Sequence, residues 1–257
     1  MKLTRPAKVH AGRHQELGPV LYVSCIQFFA AQIFVAMRWN PPYSLTRNTI
    51  SDLGNTACGT FNARFVCSPL HGLMNASFIV LGVAMTAGSV LISRQFASSR
   101  AATIGLTGMA ISGIGVVIVG VFPENSIPAF HGLGAAIPFT VGNAALIIIA
   151  ADSMMPMVLR LYSFLSGTLA ILALVGYSSR HYLGLGEGGI ERVVAYPQTV
   201  WLIVIGLFLL VRIHTCPGAL KNAGLDSRQL RDTVGCRDSG GPTTRKDAGD
   251  RPGLTAD

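Results

Sequence analysis

Residues 48–75, NTISDLGNTACGTFNARFVCSPLHGLMN, contain the side-chain types best suited to chemistry in this chain. Ser51 and Asp52 are adjacent near the start of the stretch, and His71 lies near its end. A serine hydroxyl can act as a nucleophile or polarise a substrate, and imidazole and carboxylate groups are ligands of zinc. Ionisable residues beside apolar membrane segments are functional candidates. We therefore expect any reaction or binding event to involve this stretch.

Two further ionisable residues are related to this stretch by their spacing. His131 lies sixty residues after His71, and Glu191 lies sixty residues after His131. The local sequence repeats as well, since SPLHGL surrounds the first histidine and IPAFHGL the second. We interpret the pattern as three helical hairpins of similar length, each with a polar residue at the start of its second helix. A chance similarity is the alternative.

A metal site is one hypothesis for these residues. His71, His131 and Asp52 would be the ligands of a zinc ion, and an open position would let bound water become a nucleophile. Glu124 would be the general base, and Ser51 would polarise the substrate. The two histidines are not four residues apart on one helix, as they are in the zinc-protease motif. The simpler interpretation is that they cap and cross-link helix ends, while the carboxylates are solvated.

Four residues are candidates for binding without catalysis: Asp52, Asn75, Glu191 and Arg192. Asn75 could line a cavity or bond a neighbouring helix. Arg192 could reach a carboxylate of another loop or a lipid phosphate, or form a solvated pair with Glu191. The sequence Ser-Asp-Leu-Gly is also typical of a helix cap or turn, and we favour the cap for Ser51 and Asp52.

The composition indicates the class of protein that positions these residues. Half of the residues are apolar and only 12% are charged, which is typical of a membrane protein. Five apolar runs are long enough to cross a bilayer, at residues 18–37, 68–92, 101–122, 131–151 and 161–177. A sixth, at residues 198–213, is slightly short on its own but is extended if its helix starts inside the preceding loop. Pro69 suits the first turn of the second helix, and the glycines of the third should let neighbouring helices approach closely.

The predicted fold is therefore an all-α polytopic membrane protein with six transmembrane helices arranged as three hairpins. We divide the chain into a cytoplasmic tail at residues 1–17, a membrane domain at 18–213 and a disordered cytoplasmic tail at 214–257. The loop at 178–197 would contain Glu191 and Arg192. The first apolar run is too long for a signal peptide and should remain as an anchor.

Charge predicts the orientation in the cell membrane. Fifteen of the 20 Lys and Arg residues fall on the side of the termini and five on the other side. Both termini should therefore be cytoplasmic, with residues 48–75 facing outward.

The net charge of +8 does not indicate nucleic acid, because no basic face is interleaved with aromatic residues. Membrane lipids are the expected partners. Cys58 and Cys67 share the outward loop, where a disulfide is permitted but not required.

The order of short motifs resembles a known family. SDLG, HGLMNASF, FPE, HGLGA with GN, and an ER pair before Trp201 occur in that order. This order of motifs resembles that of the prokaryotic membrane family named domain of unknown function 998, and the resemblance covers residues 18–213. The resemblance implies six membrane helices and no established activity.

A more distant resemblance is to the intramembrane metal hydrolases that include alkaline ceramidases and adiponectin receptors. Those proteins place a serine, an aspartate and three histidines around zinc, and Ser51, Asp52, His71 and His131 are similar in type. This chain has six predicted helices instead of seven. Its last helix lacks the paired histidines, and His214 stands alone.

Three functions follow, in order of preference. The first is binding of a lipid or small molecule at the outward polar cluster. The second is metal-dependent hydrolysis of a lipid amide or ester. The third is transport, which ranks last because no predicted helix has a charge near its centre and the Gly or Pro breaks are not paired between halves.

Overall fold

The computed structural model of the chain describes residues 12–97 and 99–215, so most of both predicted tails lies outside the described residues. Almost all of the described chain is helical. Within it, six helical stretches are long and apolar enough to span a membrane, which confirms the predicted fold class. These spans are Gln15–Ala36, His71–Phe96, Arg100–Val121, Pro128–Ile149, Met157–Ser178 and Gly186–Thr215.

Two of the spans are interrupted. The helices are α1 (Gly12–Ser24), α2 (Gln27–Ala36), α3 (His71–Phe96), α4 (Arg100–Val121), α5 (Pro128–Ile137), α6 (Asn143–Ile149), α7 (Met157–Ser178) and α8 (Gly186–Thr215). A π-helical turn, Pro138–Gly142, joins α5 to α6. Turns of this kind are frequent at functional sites, because they change which side chains face the interior.

The last span begins twelve residues before the predicted start at residue 198, since α8 starts at Gly186. The predicted loop at 178–197 is therefore wrong over most of its length, and the alternative that the sixth helix starts inside this loop is confirmed. Pro197 suggested a helix boundary but lies inside α8. A proline in a membrane helix removes only one backbone donor, and neighbouring groups can satisfy the carbonyl that it leaves. At the second span, Pro69 precedes the helix instead of lying in its first turn.

Glycine packing confirms the predicted close approach of the third span to its neighbour. A Cβ atom added to Gly113 of α4 would lie 2.6 Å from the carbonyl oxygen of Gly82 in α3. The backbones of α3 and α4 thus touch directly, and no larger residue fits between them. In lipid, such contacts supply the dispersion energy that holds helices together.

The interior and the outer face of the bundle differ in character. Several buried polar groups inside it are paired, as in the hydrogen bond of 2.7 Å from Trp201 Nε1 to Ser163 Oγ. Tyr22 and Ser89 form a similar buried contact at 2.7 Å. In contrast, α7 exposes large apolar side chains along its outer surface, including Leu172. This pattern suits a helix whose outer face contacts lipid tails.

Three connections meet at one end of the bundle, at residues 37–70, 122–127 and 179–185, and we call this end the polar end. The first connection includes a β-hairpin that the sequence analysis did not predict. Strands β1 (Gly59–Phe61) and β2 (Arg64–Val66) are antiparallel. Asn62 and Ala63 have positive φ, as a two-residue primed turn requires. A Cys58–Cys67 disulfide, which the sequence analysis left open, closes the hairpin.

Candidate functional site

A short 3₁₀ helix, Ser51–Gly54, forms the centre of the polar end. Ser68 Oγ donates a hydrogen bond of 2.6 Å to the carbonyl of Leu53. Asn75 Nδ2 donates one of 2.9 Å to the carbonyl of Gly54. These two contacts anchor the helical turn to the start of α3. Asn75, a candidate binding residue, is thus engaged with the backbone beneath the site.

Ser51 contacts His131, which lies in the first turn of α5. The distance from Ser51 Oγ to His131 Nε2 is 3.0 Å. The other ring nitrogen, Nδ1, lies 2.8 Å from the carbonyl oxygen of Phe122. A carbonyl can only accept, so a neutral His131 has its proton on Nδ1 and a free lone pair on Nε2. The hydroxyl of Ser51 is then the donor to His131. The predicted helix-cap role of Ser51 is wrong, because its side chain caps no helix.

Glu191 of α8 reaches the same serine from the opposite side. Its Oε2 accepts a hydrogen bond from the backbone amide of Ile50, and its Oε1 lies 3.5 Å from Ser51 Oγ. The side chain is buried, with 4% of the residue exposed. Glu191 is therefore beside Ser51 within the bundle and not in a solvated loop.

A cavity of about 50 Å³ opens beside Ser51 between the helices. This is several times the space that one water molecule needs. Most of its wall is apolar, and its polar side chains are Ser51, Glu191, Gln198 and Thr199. On α3 the lining runs from Phe78 to Met85, which is seven residues or about 10 Å along the helix axis. The apolar lining includes Phe28, Phe78, Leu81, Met85, Val116, Val119, Pro138 and Phe139.

Gln198 adds a buried polar atom at the cavity wall. Its Nε2 contacts the carbonyl of Pro138 at 3.4 Å. Its Oε1 is buried and has no hydrogen-bond partner among the described residues. A buried amide oxygen without a partner costs about 1–3 kcal/mol, so a donor that reached it would stabilise the site.

Arg192 binds the loop that precedes Ser51, and the predicted solvated pair with Glu191 is wrong, because both residues are buried. Its Nη1 donates to the carbonyls of Leu45 and Asn48, both at 3.0 Å, and its Nη2 donates to the hydroxyl of Tyr43. Only 9% of the residue is exposed. The partners of Arg192 in these contacts are two backbone carbonyls and a hydroxyl, and none of them is a carboxylate or a water molecule. Arg192 instead fixes the loop backbone, because its planar fork can satisfy several carbonyls at once.

Asp52 forms the core of a charge cluster next to Ser51. Arg64 Nε and Nη2 bind its two carboxylate oxygens at 2.7 and 2.9 Å. Arg64 Nη1 also binds Glu187 Oε2 at 2.9 Å. Burial alone would raise the pKa of Asp52, but the hydrogen bonds and charge of Arg64 hold it below its ordinary value. Asp52 is therefore ionised and fully paired.

Glu124, from the loop between α4 and α5, is the neutral partner in this cluster. Asn55 Nδ2 donates a hydrogen bond of 3.1 Å to Glu124 Oε1. Burial and the neighbouring charge of Asp52 raise the pKa of Glu124 to about 9. At neutral pH it therefore carries a proton that it shares with Asp52. In this state it is a donor and differs from the general base that the sequence suggested.

The candidate metal ligands have other partners in this arrangement. His71 Nδ1 lies 2.9 Å from the carbonyl oxygen of Ser68, at the start of its own helix. Both ring nitrogens of His131 are hydrogen-bonded, and both oxygens of Asp52 bind Arg64. Over residues 12–97 and 99–215, no group of three His, Cys, Asp or Glu side chains is placed to hold a metal ion.

Several residues of the site escaped the sequence analysis. Arg64 was counted only as a loop charge, although it is the one arginine in residues 48–75 and could have been matched to the nearby carboxylates. Tyr43 and Gln198 had no pattern that marked them, because their roles depend on contacts across the bundle. The spacing of sixty residues did identify His131 and Glu191, which approach Ser51 from two helices.

Comparison with known proteins adds a family but no activity. Residues 23–207, well over half of the chain, match the model of the family described as "Protein of unknown function (DUF998)". No curated protein and no solved structure matches the chain. The matched range covers the 3₁₀ helix, the cavity and all the site residues described above, and the chain belongs to the DUF998 family of proteins of unknown function.

Proposed function

We propose that the protein binds a neutral lipid with a hydroxyl-bearing head group, and that the part of the lipid next to its head group enters the cavity beside Ser51. The observation that carries the proposal is the composition of the cavity wall, which is apolar except for Ser51, Glu191, Gln198 and Thr199. Ligand sites of this kind combine an apolar lining with a few convergent polar groups. The head group would lie at Ser51 and Glu191, and the apolar part would extend towards Met85.

The polar groups at the cavity favour a ligand that donates hydrogen bonds. The carboxylate of Glu191 and the amide oxygen of Gln198 are acceptors, and the latter has no partner among the described residues. A lipid hydroxyl beside Ser51 could donate to the carboxylate of Glu191. An anionic head group would instead meet the carboxylate of Glu191 at the cavity wall. We therefore expect a monoacylglycerol to bind more tightly than a lysophosphatidic acid with the same chain.

The test is ligand-induced stabilisation of the purified protein in detergent. A ligand that binds only the folded state raises the midpoint of thermal unfolding in proportion to the logarithm of its concentration over Kd. Monoacylglycerols with chains of increasing length should raise the midpoint. The Ala135→Phe variant should abolish the shift, because Ala135 lines the cavity and a phenyl ring would fill it.

Ala76→Phe is the matched control, since Ala76 is exposed on the outer face of α3. It should respond to monoacylglycerol as the wild type does. The proposal fails if no chain length shifts the midpoint of the wild type. It also fails if Ala135→Phe, folded and stable, responds fully, because the lipid would then be elsewhere.

The metal-dependent alternative remains a prediction from the sequence, and elemental analysis tests it. Zinc, iron or manganese at one equivalent in protein purified without chelator, lost in both His71→Ala and His131→Ala, would favour a metal hydrolase over the binding site proposed above. His131→Ala alone is uninformative, because that residue also contacts Ser51.

A further inference from the structure

The contacts of Ser51 fit a covalent reaction as well as a binding site. We infer that Ser51 is an acyl-accepting nucleophile, that His131 is its general base, and that the bound lipid is cleaved at an ester. This inference rests on the proposed function, because the ester must be seated in the cavity beside Ser51. It requires neither a metal nor a third catalytic side chain.

The histidine is oriented as a base. Its Nδ1 donates to the carbonyl of Phe122 at 2.8 Å, which leaves the lone pair of Nε2 directed at Ser51 Oγ, 3.0 Å away. This is the reach expected of a nucleophile and its base. The carbonyl of Phe122 fills the orienting role that an aspartate fills in the Ser-His-Asp triad, because it fixes the tautomer and the ring plane.

Glu191 is the only other acceptor near the hydroxyl among the contacts of Ser51 in the described chain. Its Oε1 lies 3.5 Å from Ser51 Oγ, longer than a normal hydrogen bond, so the hydroxyl proton is directed at His131. Its second oxygen is held by the amide of Ile50, which starts the 3₁₀ helix of Ser51. Glu191 is thus a positioning residue, and it holds Ser51 against the base.

The steps balance without any further cofactor. Ser51 Oγ attacks the ester carbonyl carbon as its proton passes to His131 Nε2. The tetrahedral intermediate expels the alcohol, which takes that proton from His131, and an acyl-serine remains. Water is the co-reactant of the second half. It gives a proton to His131 and attacks the acyl-serine, which releases the carboxylic acid and returns the proton to Ser51.

The position of Ser51 determines the substrate class. The serine lies where the apolar cavity meets the polar end, so an ester there would direct its acyl chain inward and its alcohol outward. Ser51 is only half-buried, which leaves a route for water. The substrate is therefore a neutral lipid ester, with the acyl group in the cavity.

The experiment is active-site labelling with an alkyl fluorophosphonate, followed by peptide mass spectrometry. Attack by Ser51 forms a phosphorus–oxygen bond and expels fluoride. The wild type should give one adduct on Ser51, and Ser51→Ala none. Labelling of His131→Asn should be slower by about 100-fold or more, the usual contribution of a general base. Ser126→Ala and His181→Asn, both exposed at the polar end, should label as the wild type does.

Two outcomes overturn the inference. One is a folded wild type that gives no adduct on Ser51, and the other is a His131→Asn variant that labels at the wild-type rate. If Ser51→Ala does not fold, Ser51→Cys keeps the shape of the site and should shift the reactivity of that position from fluorophosphonate to iodoacetamide. Stabilisation by monoacylglycerol separates lipid binding from ester cleavage. If the wild type is stabilised but gives no adduct on Ser51, only the cleavage reaction is refuted. If monoacylglycerol does not stabilise the wild type, both proposals are refuted.

Discussion

Arg64 and Asp52 show how individual charges shape the polar end. Asp52 is fully buried, and Arg64 is the one cation that pairs with its carboxylate among the described residues. Removal of one partner of such a pair leaves an uncompensated buried charge, at a cost of about 3–5 kcal/mol. We therefore expect Arg64→Gln to lower the free energy of unfolding by that amount, as measured by denaturant titration in detergent.

The control for this prediction is Arg47→Gln, because Arg47 is exposed at the same end of the bundle. Its substitution should change the stability by no more than about 0.5 kcal/mol. The double variant Asp52→Asn with Arg64→Gln should be more stable than Arg64→Gln alone, since the stranded charge is gone. Equal losses in the single and double variants would show that the pair is not coupled.

Glu124 gives a prediction about pH. Its pKa is raised to about 9 in the folded protein, by burial and by Asp52, so the unfolded chain ionises at lower pH than the folded one. Its contribution to stability is present below pH 4.5 and is lost as the pH rises towards 9. The thermal midpoint of the wild type should therefore fall between pH 5 and pH 9, and that of Glu124→Gln should fall less.

The comparison isolates Glu124 from its neighbours. Asp52, Arg64 and Asn55 face it in both proteins, and the contribution of Asp52, whose pKa is lowered, is lost only at more acidic pH. Parallel pH profiles for the wild type and Glu124→Gln would contradict the raised pKa.

For individual residues of the site, the sequence indicated which side chains could do chemistry more reliably than which groups they contact. Ser51, His131 and Glu191 were selected because of their chemistry and spacing, and the structure brings them together. Their roles depend on which atoms face each other across three helices. The carbonyl of Phe122 orients His131, and no side-chain pattern reveals a backbone partner.

At the scale of helices, the contact between α3 and α4 is set by glycine. A Cβ atom at Gly82 would overlap the carbonyl of Gly113 and lie 2.7 Å from the amide nitrogen of Val117. Overpacking of this kind costs about 1–3 kcal/mol. Gly82→Ala should therefore lower the thermal midpoint.

Gly132→Ala is the matched control, because a Cβ atom there meets nothing within 4 Å. It should leave the midpoint unchanged or raise it, since alanine is the better helix former. If both variants behave alike, the close approach of α3 and α4 does not limit stability.

Sequence patterns predicted the membrane helices but not the start of α8 or the β-hairpin. Hydropathy and length predicted all six spans, because every membrane helix must be apolar over about twenty residues. The polar first turns of α8 have no such signature, and Pro197 obscured its start. The β-hairpin was missed for a similar reason, since three-residue strands are too short to show a period.

At the scale of the whole molecule, the disulfide and the charge distribution point in the same direction. Disulfides persist in oxidising compartments, which would place the Cys58–Cys67 bond and the polar end outside the cytoplasm. The excess of Lys and Arg on the side of the termini predicts the same orientation. The two arguments are independent, because one rests on a covalent bond and the other on loop charge.

Cysteine accessibility in intact cells tests this orientation. In a background with Cys25, Cys216 and Cys236 changed to serine, Ser126→Cys reports the polar end and Ser153→Cys the opposite end, both at exposed positions. An impermeant maleimide should label Ser126→Cys in intact cells, and Ser153→Cys only after permeabilisation. The background protein should remain unlabelled until a reductant opens the disulfide. If Ser153→Cys reacts in intact cells while Ser126→Cys is protected, the site faces the cytoplasm, and a lipid would have to reach it from the inner leaflet.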